Sequence, residues 1–549
     1  MLKNKEYITS KRKYIKKIVV IIVIIFLFII LTTAVCIIDE YILISRYNSL
    51  TIENGYTSSY KIKLSKKDKM ADFNNCYNIL MENIPAVAEY EKLYGISYSD
   101  RKEYYADLIS NTTDEYEFYC TMCSILFDFP GHTTLFYPEY DRIAYYGCFN
   151  SENVVMNDKV KDAIYSWNSL LAEKITEYNN NTASFAYYDG KYIYYSATDF
   201  WNDKYFGCEL IELNGLDIDS CVMKYPSVNS LGYDHNKAKP YREAFFFNDK
   251  CGNKVQITLR LADGTIVNEN VYMDIGSDIA YIRRNIDEKK EKSKFDYFEF
   301  VDDNENNVAY ISVNSFSGPY GNEIKEAIIS AVKTGKPIVF DIRNNSGGST
   351  EFIRKNIYPY LFSDDEIFDN KIFIKNEKNN KKLYNSFLNK IAYSFKKTDD
   401  KCFFYYNKPT IYNGENPTTP NIYILTSRNT FSAADGFASM CSDKDYVTIV
   451  GTHTGGEGLS GTSFMEFMPH SKLVYIYMPS TANNLDGTSN VIYGTDPDIY
   501  IESSAESYIV RQKIADCFAY ENRLKWDNVL IDTLEIIKEK KNTKWNTTA

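Results

Sequence analysis

Ser432 stands in Thr430-Phe431-Ser432-Ala433-Ala434-Asp435-Gly436, where an apolar run gives way to residues at helical spacing. Ile422-Tyr423-Ile424-Leu425 reads as a strand, and Ala433, Ala434, Phe437, Ala438 and Cys441 then recur on one helical face. A serine at that junction lies beside the N-terminal amides of a helix, whose partial positive charge favours an anion. The combination suits acyl transfer, with a hydroxyl nucleophile next to donors for the oxyanion it creates. The plain alternative is a helix cap, the common use of serine at such a position.

A second element bears on the same chemistry. Residues 308–313 read as a strand, 322–333 as an amphipathic helix with Ile324, Ala327, Ile328, Ala331 and Val332 on one face, and 337–342 as another buried strand. The last strand runs into Asp341-Ile342-Arg343-Asn344-Asn345-Ser346-Gly347-Gly348-Ser349. Strand, helix and strand predict a parallel crossover unit, which places functional loops at the carboxyl ends of its strands. Gly347 and Gly348 carry no Cβ, so their amides can approach a ligand closely. One of them, with the amide of Ala433, would form an oxyanion hole. Taken alone, the glycines read as a tight turn into a helix starting near Thr350.

These motifs resemble the C-terminal-processing (tail-specific) serine proteases. The resemblance rests on the Asp-x-Arg-x-Asn-x-Gly-Gly segment, the Ser-Ala-x-Asp segment at 432–435, Val450-Gly451-Thr452-His453-Thr454-Gly455-Gly456, and the closing Gly494-Thr495-Asp496-Pro497-Asp498-Ile499, in that order. It covers about 308–501 and implies a crotonase-like α/β core and a serine peptidase acting on proteins or peptides. Members with a Ser-Lys dyad carry the lysine in a Gly-Lys-Gly segment, where this chain has Gly456-Glu457-Gly458. A carboxylate cannot replace a neutral lysine as base without a strongly raised pKa, so a Ser-Lys mechanism is not expected.

The tricorn-like branch of that family uses a distant histidine, in an Asp-x-x-Gly-His-Thr motif or a close variant. Asp128-Phe129-Pro130-Gly131-His132-Thr133 resembles it and makes His132 the expected base. An imidazole is well matched to accepting a serine proton near neutral pH. His453, in the loop after 447–450, is the alternative base; His235 and His470 have no supporting motif. In the tricorn-like branch a glutamate before the closing segment orients the histidine, but Val491 occupies that place here. Asp435, Glu457 or Asp496 would have to substitute, and spacing does not choose among them. The departures keep a catalytically degenerate peptide-binding or sensing module open as an alternative, and an esterase beside it. The Gly-x-Ser-x-Gly elbow of α/β-hydrolases is absent around Ser432.

The remaining chain must position these groups. Residues 18–38 hold no charged side chain, follow Lys11, Arg12, Lys13, Lys16 and Lys17, and are long enough to cross a bilayer core of ~30 Å. They predict a single-pass anchor in the cell membrane, with 1–17 cytoplasmic and the catalytic part extracellular. A linker (39–69), a helical segment (70–135), a β-rich region (136–294), the protease core (295–503) and C-terminal helices (504–549) are expected to follow. Within the β-rich region, 206–218 resembles the hairpin of PDZ domains, which capture peptides by strand addition; a plain hairpin reads equally well. Residues 363–408 read as an insertion covering the groove. The 549-residue chain carries a net charge of −11, which argues against nucleic acid as a partner. Eleven cysteines lie mostly singly in apolar runs, and Cys120 and Cys123 sit on an apolar helical stretch without a second pair. Neither metal nor cofactor is expected; the expected partners are protein or peptide substrates.

Overall fold

The computed structural model describes residues 59–144, 157–178, 182–195, 205–225, 231–248, 252–273, 297–380, 394–399 and 402–547, apart from single positions 142, 379, 419, 462, 512 and 515. Six strands in chain order form the central sheet: β1 (Phe298–Asp303), β2 (Val308–Val313), β3 (Ile338–Asp341), β4 (Ile422–Thr426), β5 (Val447–Gly451) and β6 (Ile499–Tyr500). β1 is antiparallel to β2 and every other neighbour is parallel. The expected crossover is present, with α1 (Gly321–Lys333) linking β2 to β3 in a register that pairs Ala309 with Ile338.

Every residue of β2, β3 and β4 is buried, because both faces of the sheet are covered. Ala309, Ile311, Phe340 and Ile424 face Ile324 and Ile328 of α1 and Phe437 and Ala438 of α2 (Ala433–Cys441). The alternate residues Val308, Tyr310, Val339 and Leu425 pack against Leu530, Leu534 and Ile537 of the helix Asn528–Thr547. The motif arginine lies on this second side. Arg343 donates to both oxygens of Asp341, at 3.0 and 2.6 Å, and to both oxygens of Asp527, each at 2.6 Å. Arg523 adds an ion pair to Asp527 at 3.2 Å.

Burial alone would raise the two carboxyls, but the Arg343 charge and its hydrogen bonds outweigh it and hold both below the ordinary range. Carboxyls depressed in the folded state stabilise it above their unfolded pKa of ~3.9 and lose that contribution as pH falls through the folded values. Denaturant midpoints measured from pH 6 to 2 should therefore drop steeply for the native chain. Asp527→Asn should cost about 3–5 kcal/mol at neutral pH, by leaving buried arginines short of a partner, and should flatten the acid limb. An unchanged acid limb in the variant would remove this network from the account.

The helical segment contains Lys66–Asn83, Val87–Tyr94, Tyr98–Ser110 and Glu115–Leu126. Phe73, Leu80, Tyr105, Phe118 and Leu126 form one core with Tyr475 and Tyr477 of the strand Val474–Tyr477. Cys120 and Cys123 are buried on the last of these helices. The β-rich region forms a barrel, in the order Lys191–Tyr195, Thr182–Tyr188, Ala244–Asn248, Ile266–Met273, Asn253–Arg260 and Glu209–Leu213. Glu209–Leu213 pairs back onto Lys191–Tyr195, with Tyr192 opposite Leu210, so the sheet closes. Among the described residues this leaves the two-residue strand Leu216–Asp217 outside the ring. A hairpin, Leu231–Asp234 with Lys239–Arg242, projects from this barrel. In the insertion after β3, Glu366–Lys375 pairs with Phe403–Tyr412 and with Ser480–Ala482.

The expected membrane anchor is corrected. Among the described residues no helix is long and apolar enough to cross a membrane, and 18–38 lies outside the described residues. The single transmembrane helix, and the cell-membrane localisation inferred from it, are therefore withdrawn.

Candidate active site

β4 ends at Thr426, and residues 427–431 turn the chain into α2. Ser432 occupies that corner at φ 54°, ψ −127°, a conformation that residues with a Cβ rarely adopt and that costs about 1–3 kcal/mol. Its amide donates to Gly456 O at 2.9 Å and its carbonyl accepts from Gly436 N–H at 3.0 Å, so the backbone is held on both sides. The side chain makes no capping hydrogen bond. The cap reading of Ser432 therefore gives way to a partly exposed hydroxyl on a strained corner.

Asn345 joins this corner to the glycine loop. Fully buried, it donates to Val313 O at 3.0 Å and accepts from the Gly347 amide at 2.8 Å; its carbonyl accepts from Phe431 N–H at 3.1 Å. The Gly347 amide is thereby occupied. The amides of Gly348 and Ala433 have no hydrogen-bond partner among the described residues. Gly347 serves instead by its lack of a side chain, since a Cβ there would lie 2.7 Å from Phe431 O and 2.8 Å from Ser432 Cβ, at φ 106°. Gly347→Ala should strain this loop locally and lower any Ser432-dependent rate by about 100-fold, the cost of displacing a reacting group by ~1 Å. Far-UV circular dichroism beside the rate checks this, and a full-rate variant would refute it.

His132 reaches the corner from the helical segment. The turn 128–133 follows the helix Glu115–Leu126, and Thr134 and Leu135 pair with Ile476 and Tyr475. The His132 ring lies 4.5 Å, centroid to centroid, from the ring of Phe431, the residue that precedes Ser432 in the chain. Its Nδ1 is 3.4 Å from Glu457 Oε2, an ion-pair distance longer than a well-formed hydrogen bond. His132 Nδ1 and Glu457 Oε1 are both buried without hydrogen-bond partners, while Ser460 Oγ donates to Glu457 Oε2 at 2.8 Å. Gly131 makes room for this contact, because a Cβ there would sit 2.2 Å from Glu457 Oε1.

The other candidates have different neighbours. Asp435 is fully buried and accepts from Thr454 Oγ1 (2.5 Å), Thr495 Oγ1 (2.7 Å), Gly458 N (2.8 Å) and Asn490 Nδ2 (2.9 Å). Burial pushes its carboxyl up despite these donors, and its oxygens tie α2 to the two closing loops. His453 Nδ1 lies 2.6 Å from Asp496 Oδ1, and its ring is 4.9 Å from that of His235. The close contact with His453 holds the Asp496 carboxyl below its ordinary range. Val491 is buried in the helical-segment core. Asn345, Phe431, Thr454 and Thr495 carry positioning contacts that the sequence did not single out, although all four fall inside or beside its motifs.

A family model described as Peptidase family S41 matches residues 307–501. No curated protein matches the chain. Among solved structures, mature CPAF complexed with lactacystin is similar at 13% identity, covering 86% of this chain and 99% of its own, with a TM-score of 0.48. The photosystem II D1 C-terminal processing protease is similar at 14% identity, covering 80% and 94%, with a TM-score of 0.36. The tricorn protease is similar at 13% identity, covering 86% of this chain and 37% of its own, with a TM-score of 0.31.

Proposed function

We propose that this chain, whose residues 307–501 match the model of peptidase family S41, is a serine peptidase of proteins or peptides with Ser432 as its nucleophile and His132 as its base. The observation that carries this reading is the corner itself, a non-capping serine at positive φ whose chain neighbour Phe431 meets the ring of His132, which in turn faces Glu457. Ser432 Oγ attacks the scissile carbonyl carbon while His132 takes its proton. The carbonyl oxygen gains the negative charge, which the free amides of Gly348 and Ala433 receive; Gly347 shapes the loop. The tetrahedral adduct collapses, the C–N bond breaks, and His132 returns the proton to the departing amine. Water then hydrolyses the acyl-serine by the same steps.

Glu457 is the acid this reading assigns to His132. It sits where Ser-Lys members carry their lysine, so the dyad lysine is replaced by a carboxylate that works through a histidine. Asp435 has its oxygens engaged, and Asp496 faces His453. The test is fluorophosphonate labelling of the full chain beside Ser432→Ala, His132→Ala and His453→Ala. Labelling lost in the first two and kept in the third supports the assignment. Loss in His453→Ala with His132→Ala unaffected would move the base to the His453–Asp496 pair. A folded native chain that never labels would favour a peptide-binding module of the same fold.

A further inference from the structure

We infer that Arg242, on the barrel hairpin, is a positioning residue for His132 and acts through Asp128. Arg242 and Asp128 are 0% and 1% exposed, and the guanidinium donates to Asp128 Oδ1 at 2.6 Å. Asp128 Oδ2 accepts from Tyr105 Oη at 2.8 Å and faces Arg101 at 3.3 Å; its carbonyl accepts from Tyr98 Oη at 2.5 Å. Arg242 is fixed in turn, its Nε donating to Val222 O at 3.0 Å and its amide to Tyr192 Oη at 2.9 Å. The hairpin's other strand is tied to the same place, because Leu231 N–H donates to Phe127 O at 3.2 Å.

From Asp128 to His132 the chain has little freedom. Pro130 fixes one φ, Gly131 sits at φ 73° against Glu457, and Thr133 Oγ1 donates to Pro130 O at 2.6 Å. Beyond it, Thr134 is already in register with Ile476. A shift of Asp128 therefore passes into the His132–Glu457 contact. A buried ion pair is a poor source of net stability, since apolar replacements of such pairs are often neutral, but it fixes geometry. The barrel accordingly serves the reaction by holding the turn that carries the base.

The inference rests on the Ser432–His132 reading, and its test separates the two. The full chain is compared with R242M, D128N and the double variant R242M/D128N, which removes both members of the Arg242–Asp128 pair if either single change prevents folding. Two quantities are read: the fluorophosphonate labelling rate across pH, and hydrogen exchange of the peptide spanning 127–135. Each folded variant is expected to label about 100-fold more slowly and to exchange about tenfold faster in 127–135 (~1.4 kcal/mol of local protection). The double variant should be no slower than the worse single, as one shared interaction requires. R242K, which keeps the charge, should recover part of the rate. Native exchange at 127–135 in a folded variant, with any increase confined to the barrel, would overturn the inference. A native chain that fails to label would remove the Ser432–His132 reading alone, and the exchange result would still decide whether Arg242 holds the turn.

Discussion

Ser432→Ala lowers peptide turnover by about 10⁶-fold, His132→Ala does nearly the same, and the double variant is no worse than either. The non-additivity follows from the roles assigned to the pair. A hydroxyl without its base is a weak nucleophile, and a base without its hydroxyl has no proton to take. Neither substitution should unfold the chain. The Ser432 hydroxyl caps no helix, and His132 Nδ1 makes no formed hydrogen bond that alanine would forfeit. Single-turnover rates on a peptide ester, with melting curves beside them, provide the measurement. A Ser432→Ala chain that retains more than a hundredth of native turnover would place the nucleophile elsewhere.

Glu457→Gln lowers kcat by about 10⁴-fold with little change in KM. The glutamine amide would point an N–H at His132 Nδ1 and select the tautomer whose Nε2 is already protonated, which cannot accept from serine. Glu457 is 3% exposed, so solvent does not replace the lost carboxylate. Its backbone stands at φ 66°, and the neighbouring Gly456 holds the Ser432 amide. A purely structural Glu457 predicts a lower melting temperature with kcat intact, and that outcome would return the orienting role to another acid.

Much of this site was legible in local pattern. The crossover unit, the Gly347–Gly348 loop and the strand-to-helix corner at Ser432 are each written within about forty residues, at periods set by strand and helix geometry. The His132 turn was legible as a motif. What it touches was not, because Glu457 lies more than three hundred residues further on and spacing could not prefer it to Asp435 or Asp496. Barrel closure was hidden for a similar reason. Individual strands such as Val255–Leu259 show in the sequence, but the pairing of Tyr192 with Leu210 depends on tertiary packing. Arg242 carried no local signal at all, since its partner is 114 residues away.

The partner of Arg343 is Asp527, 184 residues downstream. On a ribosome, every strand of the central sheet is made before the helix that covers its second face. Until that helix emerges, Val308, Tyr310, Val339 and Leu425 face water and the Arg343 guanidinium lacks half of its carboxylate partners. The loop after β3, which carries Asn345 and Gly347, is then anchored on one side only. A nascent chain halted before 527 would therefore hold all the proposed reacting groups without the carboxylate that braces Arg343 from the far side of the sheet.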